Sequence, residues 1–270
     1  MASPGSYIVA GARTPIGKMS GALASFSAAD LGGFAISAAL ERAGVAPDEV
    51  QHVIMGQVLM AGQGQVPSRQ AAVKAGIPMN VPSVNVNKVC LSGLNSIYLA
   101  NQMIAAGDAD IVVAGGMESM TNAPYLLPKA RAGYRMGHQQ VLDHMFFDGL
   151  QNPYDGHMMG HFAEVTAKEY GFSREAQDAF SIESVRRALA ASNGAFEAEI
   201  TPVTTPDGEV AKDDGIRPGT TLEKVSGLGP VFRPDGTVTA GNACPLNDGA
   251  AAVVVMSDTR AAELGLQPLA

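Results

Sequence analysis

The sequence predicts an α/β layered fold in which one polar segment is inserted between two strands of the same sheet. Three observations carry that reading. Short apolar, β-rich runs alternate with Ala- and Leu-rich helical stretches as far as about residue 116. From about residue 120 to about residue 239 the chain turns richer in Pro, Gly, Met, His and charge. The earlier style then returns at Thr237-Val-Thr-Ala-Gly-Asn-Ala-Cys244 and closes in the apolar run Ala250-Ala-Ala-Val-Val-Val-Met256.

Each element has a local cause. Tyr7-Ile-Val-Ala10 suits a buried first strand, and Gly11-Ala-Arg-Thr-Pro-Ile-Gly17 follows it with turn and breaker residues. Residues 30–42 are Ala- and Leu-rich and run up to Gly44, the pattern of a helix with a glycine stop. Val53-Ile-Met-Gly-Gln-Val-Leu59 is the next strand, and Pro67 opens a second helix with residues 69–75 in its body. Val84-Asn-Val-Asn-Lys-Val89 alternates in the strand manner and ends directly at Cys90. Residues 91–106 form a helix ended by Gly107. Its apolar positions Leu91, Leu94, Ile97, Leu99, Met103 and Ile104 run almost all the way round, which predicts burial on most sides. Ile111-Val-Val-Ala114 is a further apolar strand, ended by Gly115-Gly116. Within the polar middle, helices are expected near residues 164–170 and 174–192, with a turn-rich stretch over 210–234.

A length of 270 residues allows one large domain or one domain carrying a sizeable insertion. With 46% hydrophobic and 16% charged residues, a substantial core is expected and global disorder is excluded. The net charge of -8 and the scattered Lys and Arg argue against a nucleic-acid partner. An anionic ligand remains compatible, because a few local cations and backbone N–H groups suffice to hold one. No apolar run approaches the ~18 residues that a membrane span needs. Met1-Ala-Ser-Pro-Gly-Ser-Tyr7 lacks the basic region and long apolar run of a signal peptide. The two cysteines are far apart and give no disulfide framework, so a cytoplasmic location is expected, away from membranes.

Cys90 stands where a strand ends and a helix begins. That location puts its sulfur near unpaired helix N–H groups and the positive end of the helix dipole, which favour the reactive thiolate. A strand-to-helix turn also lifts the side chain out of the sheet, as in nucleophile elbows. The commoner fate of a lone free cysteine is structural burial, and position alone leaves both readings open.

The surrounding motifs narrow the choice. Asn87-Lys-Val-Cys-Leu-Ser-Gly93 resembles the active-site segment of thiolases, the enzymes that make or cleave 3-ketoacyl-CoA. Ala12-Arg-Thr-Pro-Ile-Gly-Lys18, Gly64-Gln-Val-Pro-Ser-Arg-Gln70 and Gly115-Gly-Met-Glu-Ser-Met120 resemble further thiolase segments, in the family order. So do Thr239-Ala-Gly-Asn-Ala243 and Asn247-Asp-Gly-Ala250, so the resemblance covers the chain from end to end. It implies a thiolase-like layered α/β fold with a mixed sheet. Of the two similar halves of that fold, only the first would be present, as residues 1–120 and 245–270, with 121–244 the inserted CoA-binding loop domain.

The resemblance also implies a chemistry. Cys90 matches the cysteine that takes an acyl group from acyl-CoA as a thioester, which divides a difficult C–C step into two easier ones. Backbone N–H groups would stabilise the thioester oxyanion. In the family a histidine activates that cysteine, a second cysteine moves the substrate proton, and an asparagine positions the oxyanion site. All three belong to second-half motifs, none of which occurs in this sequence. Cys244 is no substitute, because it matches the segment that faces pantetheine. The chain alone is therefore expected to lack ordinary turnover, as a fragment or one part of a split enzyme. It is also expected to aggregate, self-associate or need its other half, because the helix after Cys90 takes part of its cover from the second half in the family.

Coenzyme A or acetyl-CoA is implied as substrate, with no permanently bound cofactor and no metal. Leu150 matches a family position beside the pantetheine and adenine region, and Arg217 a loop arginine near the adenine and phosphates. Ala240, Ala243 and Cys244 match the strip along which pantetheine lies, and Phe232 an apolar wall residue. Many acetoacetyl-CoA thiolases have histidine where this chain has Met158, and here His157 stands one place earlier, which bears on an acetoacetyl preference. A homo-oligomer, tetramer or dimer, is implied as well.

Other features carry less. His157 and His161 share the spacing of zinc peptidases, but Met158 replaces the glutamate base and Gly160 disfavours helix. Gly62-Gln-Gly64 lacks the third glycine of a dinucleotide loop. Met136, Met145, Met158 and Met159 are either flexible filler or the lining of an acyl or pantetheine channel. Lys129, Arg131 and Arg135 read equally as a solvated loop, an attraction for CoA phosphates or an assembly contact. Three functions compete. They are an acetyl-CoA acetyltransferase making or cleaving acetoacetyl-CoA, a degradative 3-ketoacyl-CoA thiolase of broader chain length, and a non-catalytic CoA-binding or assembly half-subunit.

Overall fold

β1 (Ser6–Arg13) outruns its apolar stretch because its ladder continues through Ala12 and Arg13, opposite Ala252 and Ala251. This computed structural model describes residues 5–270, so Met1 to Pro4, part of the stretch read for a signal peptide, lie outside the described residues. β2 (Gly17–Lys18) follows, then α1 (Ala28–Ala43). The helix starts two residues before the expected Asp30, because Ser27 and Asp30 cap it reciprocally: each side chain accepts the other's backbone N–H. Gly44 ends it in the left-handed conformation, φ 64°.

β3 (His52–Gly56) stops short of the expected Leu59, and α2 (Pro67–Lys74) opens on its proline. β4 (Ser83–Val86), α3 (Ser92–Ala106) and β5 (Ile111–Ser119) complete this stretch. Next come the two-residue strands β6 (Tyr125–Leu126) and β7 (Leu142–Asp143), a π-helical turn at Met145–Leu150, and helices α4 (Met159–Glu169) and α5 (Arg174–Ala191). β8 (Val203–Thr205), β9 (Gly208–Val210), α6 (Leu222–Ser226), β10 (Asn247–Ser257) and α7 (Asp258–Glu263) close the chain.

The main sheet is mixed, in the order β1-β10-β5-β3-β4 with β2 on the end of β10. β10 runs antiparallel to both β1 and β5, whereas β3 is parallel to β5 and β4. The last strand in sequence is thus an interior strand, which explains its almost unbroken apolar run. Strand alternation sorts the sheet's side chains to two faces. Val53, Met55, Val113 and Val254 meet α1 and α2 through residues such as Leu31, Ile36 and Ala71. Ile54, Val112, Ala114 and Val255 meet α3 through Ala100 and Ile104. Helices on both faces of a mixed sheet make the α/β layers that the sequence predicts.

Two expectations are corrected. α3 is not buried on most sides: only Ser92, Ser96, Ala100 and Ile104 are, one stripe at four-residue spacing, while Leu94 is 63% and Tyr98 57% exposed. The strand before Cys90 ends at Val86, which pairs with Gly56 at the end of β3, and Val89 beyond it takes a left-handed φ of 48°.

The chain divides into two units. The first holds the described residues up to Ala123, Glu197–Asp214 and Asn247–Ala270, and the second holds Pro124–Phe196 and Gly215–Leu246. Residues 197–214, polar in composition, sit with the sheet because they cover the outer edge of β1. Arg13 donates its N–H to Glu199 O at 2.9 Å and accepts the Thr201 N–H at 2.8 Å.

Candidate active site

Cys90 is exposed and lies one residue before Leu91, the cap of α3. The turn that presents it is built from side chain-to-backbone hydrogen bonds. Asn87 Oδ1 accepts the Val89 N–H at 3.0 Å. The Ser92 hydroxyl accepts the Lys88 N–H at 2.8 Å and donates to Val89 O at 2.6 Å. Between them Val89, a β-branched residue, holds its left-handed φ of 48°, a conformation costing on the order of 1–3 kcal/mol. Behind the turn stands Gly56, the last residue of β3, where a Cβ would lie 2.4 Å from the Ser92 carbonyl carbon. Only glycine lets the start of α3 seat so closely.

The groove beside Cys90, about 360 Å³, is lined by the ends of β3, β5 and β10 and by Val89, Ser92 and Gly93. Its floor is held by buried or half-buried polar groups. Glu118 accepts the Val58 and Leu59 N–H groups at 2.8 and 3.2 Å, fixing the chain after β3. Asp248, fully buried, accepts the Thr121 N–H at 2.9 Å. At the groove's edge Arg13 pairs with Asp213 through two hydrogen bonds of 2.7 and 3.1 Å and with Glu199 at 2.8 Å. Burial opposes ionisation of Asp213, but the Arg13 guanidinium and the Ile16 N–H outweigh it and hold the carboxyl below its usual range. No histidine lines this groove among the described residues.

The remaining predicted residues all fall in the second unit, at two cavities. Leu150, Met158, Phe232, Ala243 and Cys244 line an apolar cavity of about 700 Å³, together with Phe146, Met159 and Phe172. The π-helical turn supplies Phe146 and Leu150. Gly160 admits Phe232, whose ring would lie 2.2 Å from any Cβ there. Arg217 and Ala240 instead border a recess of about 530 Å³, beside Lys224, a cation the sequence reading did not single out. His157 sits outside both, with its ring tilted by 32° against that of His161 at 4.0 Å between centroids, and 3.3 Å from Asp155.

One wall is common to both cavities: the strip of residues 237–244, whose form depends on two buried carboxylates. Glu164 accepts the Thr237 and Val238 N–H groups at 2.9 and 2.8 Å. Asp178 accepts Arg174 Nε at 2.7 Å and Asn242 Nδ2 at 3.0 Å, while Asn242 Oδ1 accepts the Thr239 N–H at 2.7 Å. Asn242, inside the Thr239-to-Ala243 motif, is thus an anchor that leaves Ala240, Ala243 and Cys244 facing outward. Ser92, Glu118, Glu164 and Asp178 were missed in sequence. Ser92 and Glu118 lie within quoted motifs, and that is the one signal that could have found them.

The family model described as "Thiolase, N-terminal domain" matches residues 6–259. The acetyl-CoA acetyltransferase of Cupriavidus necator is 54% identical over 269 residues, which span 97% of this chain and 68% of that protein. A probable acetyl-CoA acetyltransferase of Mycolicibacterium smegmatis is 51% identical, over 97% of this chain and 69% of its own length. A probable acetyl-CoA acyltransferase of Staphylococcus aureus is 49% identical, over 97% and 68%.

Proposed function

This chain belongs to the thiolase family, and on that premise we propose that Cys90 is the acyl-accepting nucleophile of a CoA-dependent acyl transfer. The observation that carries the reading is the exposed Cys90 on a strained, side chain-braced turn at the start of α3, open to a groove. The Cys90 thiolate attacks the carbonyl carbon of acetyl-CoA. A sulfur–carbon bond forms, the bond to the CoA sulfur breaks, and CoA leaves as its thiol with the proton that Cys90 gave up. A second acetyl-CoA then loses a methyl proton, its carbanion bonds to the acetyl carbon, the Cys90 sulfur–carbon bond breaks, and the released sulfur takes up that proton, giving acetoacetyl-CoA and free Cys90; thiolysis is the reverse. The Cys90 N–H serves the oxyanion of both steps. The relatives' names, two acetyl-CoA acetyltransferases among them, support this substrate class.

Within the second unit, the apolar cavity suits the pantetheine arm, and the recess with Arg217 and Lys224 suits the nucleotide end with its phosphates. Met158, which lines that cavity where many acetoacetyl-CoA thiolases have histidine, favours a second reading: a broader acyl chain range. Chain-length profiling of turnover separates the two.

The test is intact-mass spectrometry after incubation with acetyl-CoA. The chain is compared with a version extended through the second-half motifs, each with and without Cys90→Ala. The extended protein is expected to gain one acetyl group that Cys90→Ala lacks, while this chain, with no histidine lining the groove, stays unlabelled. An extended protein that never acetylates, or acetylates equally without Cys90, removes the assignment.

A further inference from the structure

We propose that Ser92 is the positioning residue of the nucleophile: its hydroxyl holds Val89 in the left-handed conformation that turns Cys90 out toward the groove. This rests on the reading of Cys90 as nucleophile. Ser92 is 4% exposed, and its hydroxyl is used on both sides, accepting from Lys88 N–H and donating to Val89 O. Val89 O also accepts the Ser92 N–H at 3.1 Å, so Ser92 grips that one carbonyl with two groups. Asn87 Oδ1 takes the Val89 N–H from the other side. Both polar groups of the strained residue are therefore fixed, one by Asn87 and one by Ser92.

The brace is itself backed. Any Cβ at Gly56 would come within 2.7 Å of the Ser92 Cβ, so the serine sits against the end of β3. Removing the hydroxyl takes away the shorter of the two hydrogen bonds to Val89 O and so loosens Val89, a β-branched residue, in a conformation it adopts at a cost. The peptide then relaxes and Cys90 loses its fixed place before α3. Glycine at position 89 carries no such cost and keeps a left-handed φ without help. Ser92→Ala and Val89→Gly should therefore interact rather than add.

The experiment is peptide-mapped alkylation of this chain by iodoacetamide, with the exposed Cys244 as reference in the same molecule. Ser92→Ala is expected to lower the Cys90 rate relative to Cys244 by about tenfold. Adding Val89→Gly should restore most of that ratio, which a loss of general packing would not allow. The exposed Asn87 offers an independent variant should Ser92→Ala fail to fold: Asn87→Ala is expected to lower the same ratio, by less. An unchanged ratio in Ser92→Ala, or a loss that Val89→Gly leaves in place, overturns the proposal, and so does an unchanged ratio in Asn87→Ala where that variant stands in. If the ratios behave as expected but the extended protein never acetylates at Cys90, the brace stands and the nucleophile assignment falls.

Discussion

At Glu164 a carboxylate 5% exposed accepts two backbone N–H groups and the Thr237 hydroxyl. Burial pushes its pKa up. The hydrogen bonds from Thr237 and Val238, with Arg233 nearby, favour the ionised form and win, so the carboxyl titrates below the ordinary glutamate range. The folded value being the lower one, ionised Glu164 stabilises the fold fully above its unfolded pKa. That stability is lost as pH falls through the folded pKa. Glu164→Gln is expected to cost about 1–3 kcal/mol at neutral pH. It should also flatten the acid limb of a plot of Tm against pH, and an acid limb unchanged by the substitution would contradict this account.

Among the elements, α3 departs from the burial on most sides that its sequence predicts. Its sequence is apolar on nearly every side, yet the sheet covers a single stripe, and Leu91, Leu94 and Tyr98 stay exposed. Ile104 is fully buried against Ile54, Val112 and Val255, so Ile104→Ala should destabilise by about 2–5 kcal/mol in urea unfolding. Leu94→Lys, on the open face, should change stability by less than about 0.5 kcal/mol. We predict that the wild-type chain self-associates through this exposed apolar patch and that Leu94→Lys reduces the association in sedimentation velocity. A monomeric wild-type chain at high concentration would refute that role for the face.

Across the whole molecule, apolar burial is uneven. Both large clusters of buried apolar side chains lie in the first unit, around β10, β5 and β3. In the second unit α5 buries only Asp178, and α4 only Glu164 and Ala167. Local opening free energy follows such burial. Hydrogen exchange followed by mass spectrometry should therefore show β5 and β10 protected far longer than α4 and α5. Equal protection of α5 and β5 would mean that the second unit is stabilised by something other than its apolar contacts.

Much of this was legible along the chain. Short apolar, β-rich runs at 7–10, 53–59, 111–114 and 250–256 marked strands, because a strand covered on both faces carries apolar residues at successive positions. Gly44, Pro67 and Gly107 marked helix ends, because their backbone restrictions are local. Motif order identified the family, and with it the cysteine to examine. What lay beyond reach depends on residues far apart in sequence. β10 is interior only because β1 and β5 flank it, and residues 197–214 join the first unit only because the edge of β1 needs cover. The division of the predicted CoA residues between two cavities, and the roles of Ser92, Glu164 and Asp178, rest on hydrogen-bond geometry and burial. Residue type records neither; both exist only once the chain has brought its distant segments together.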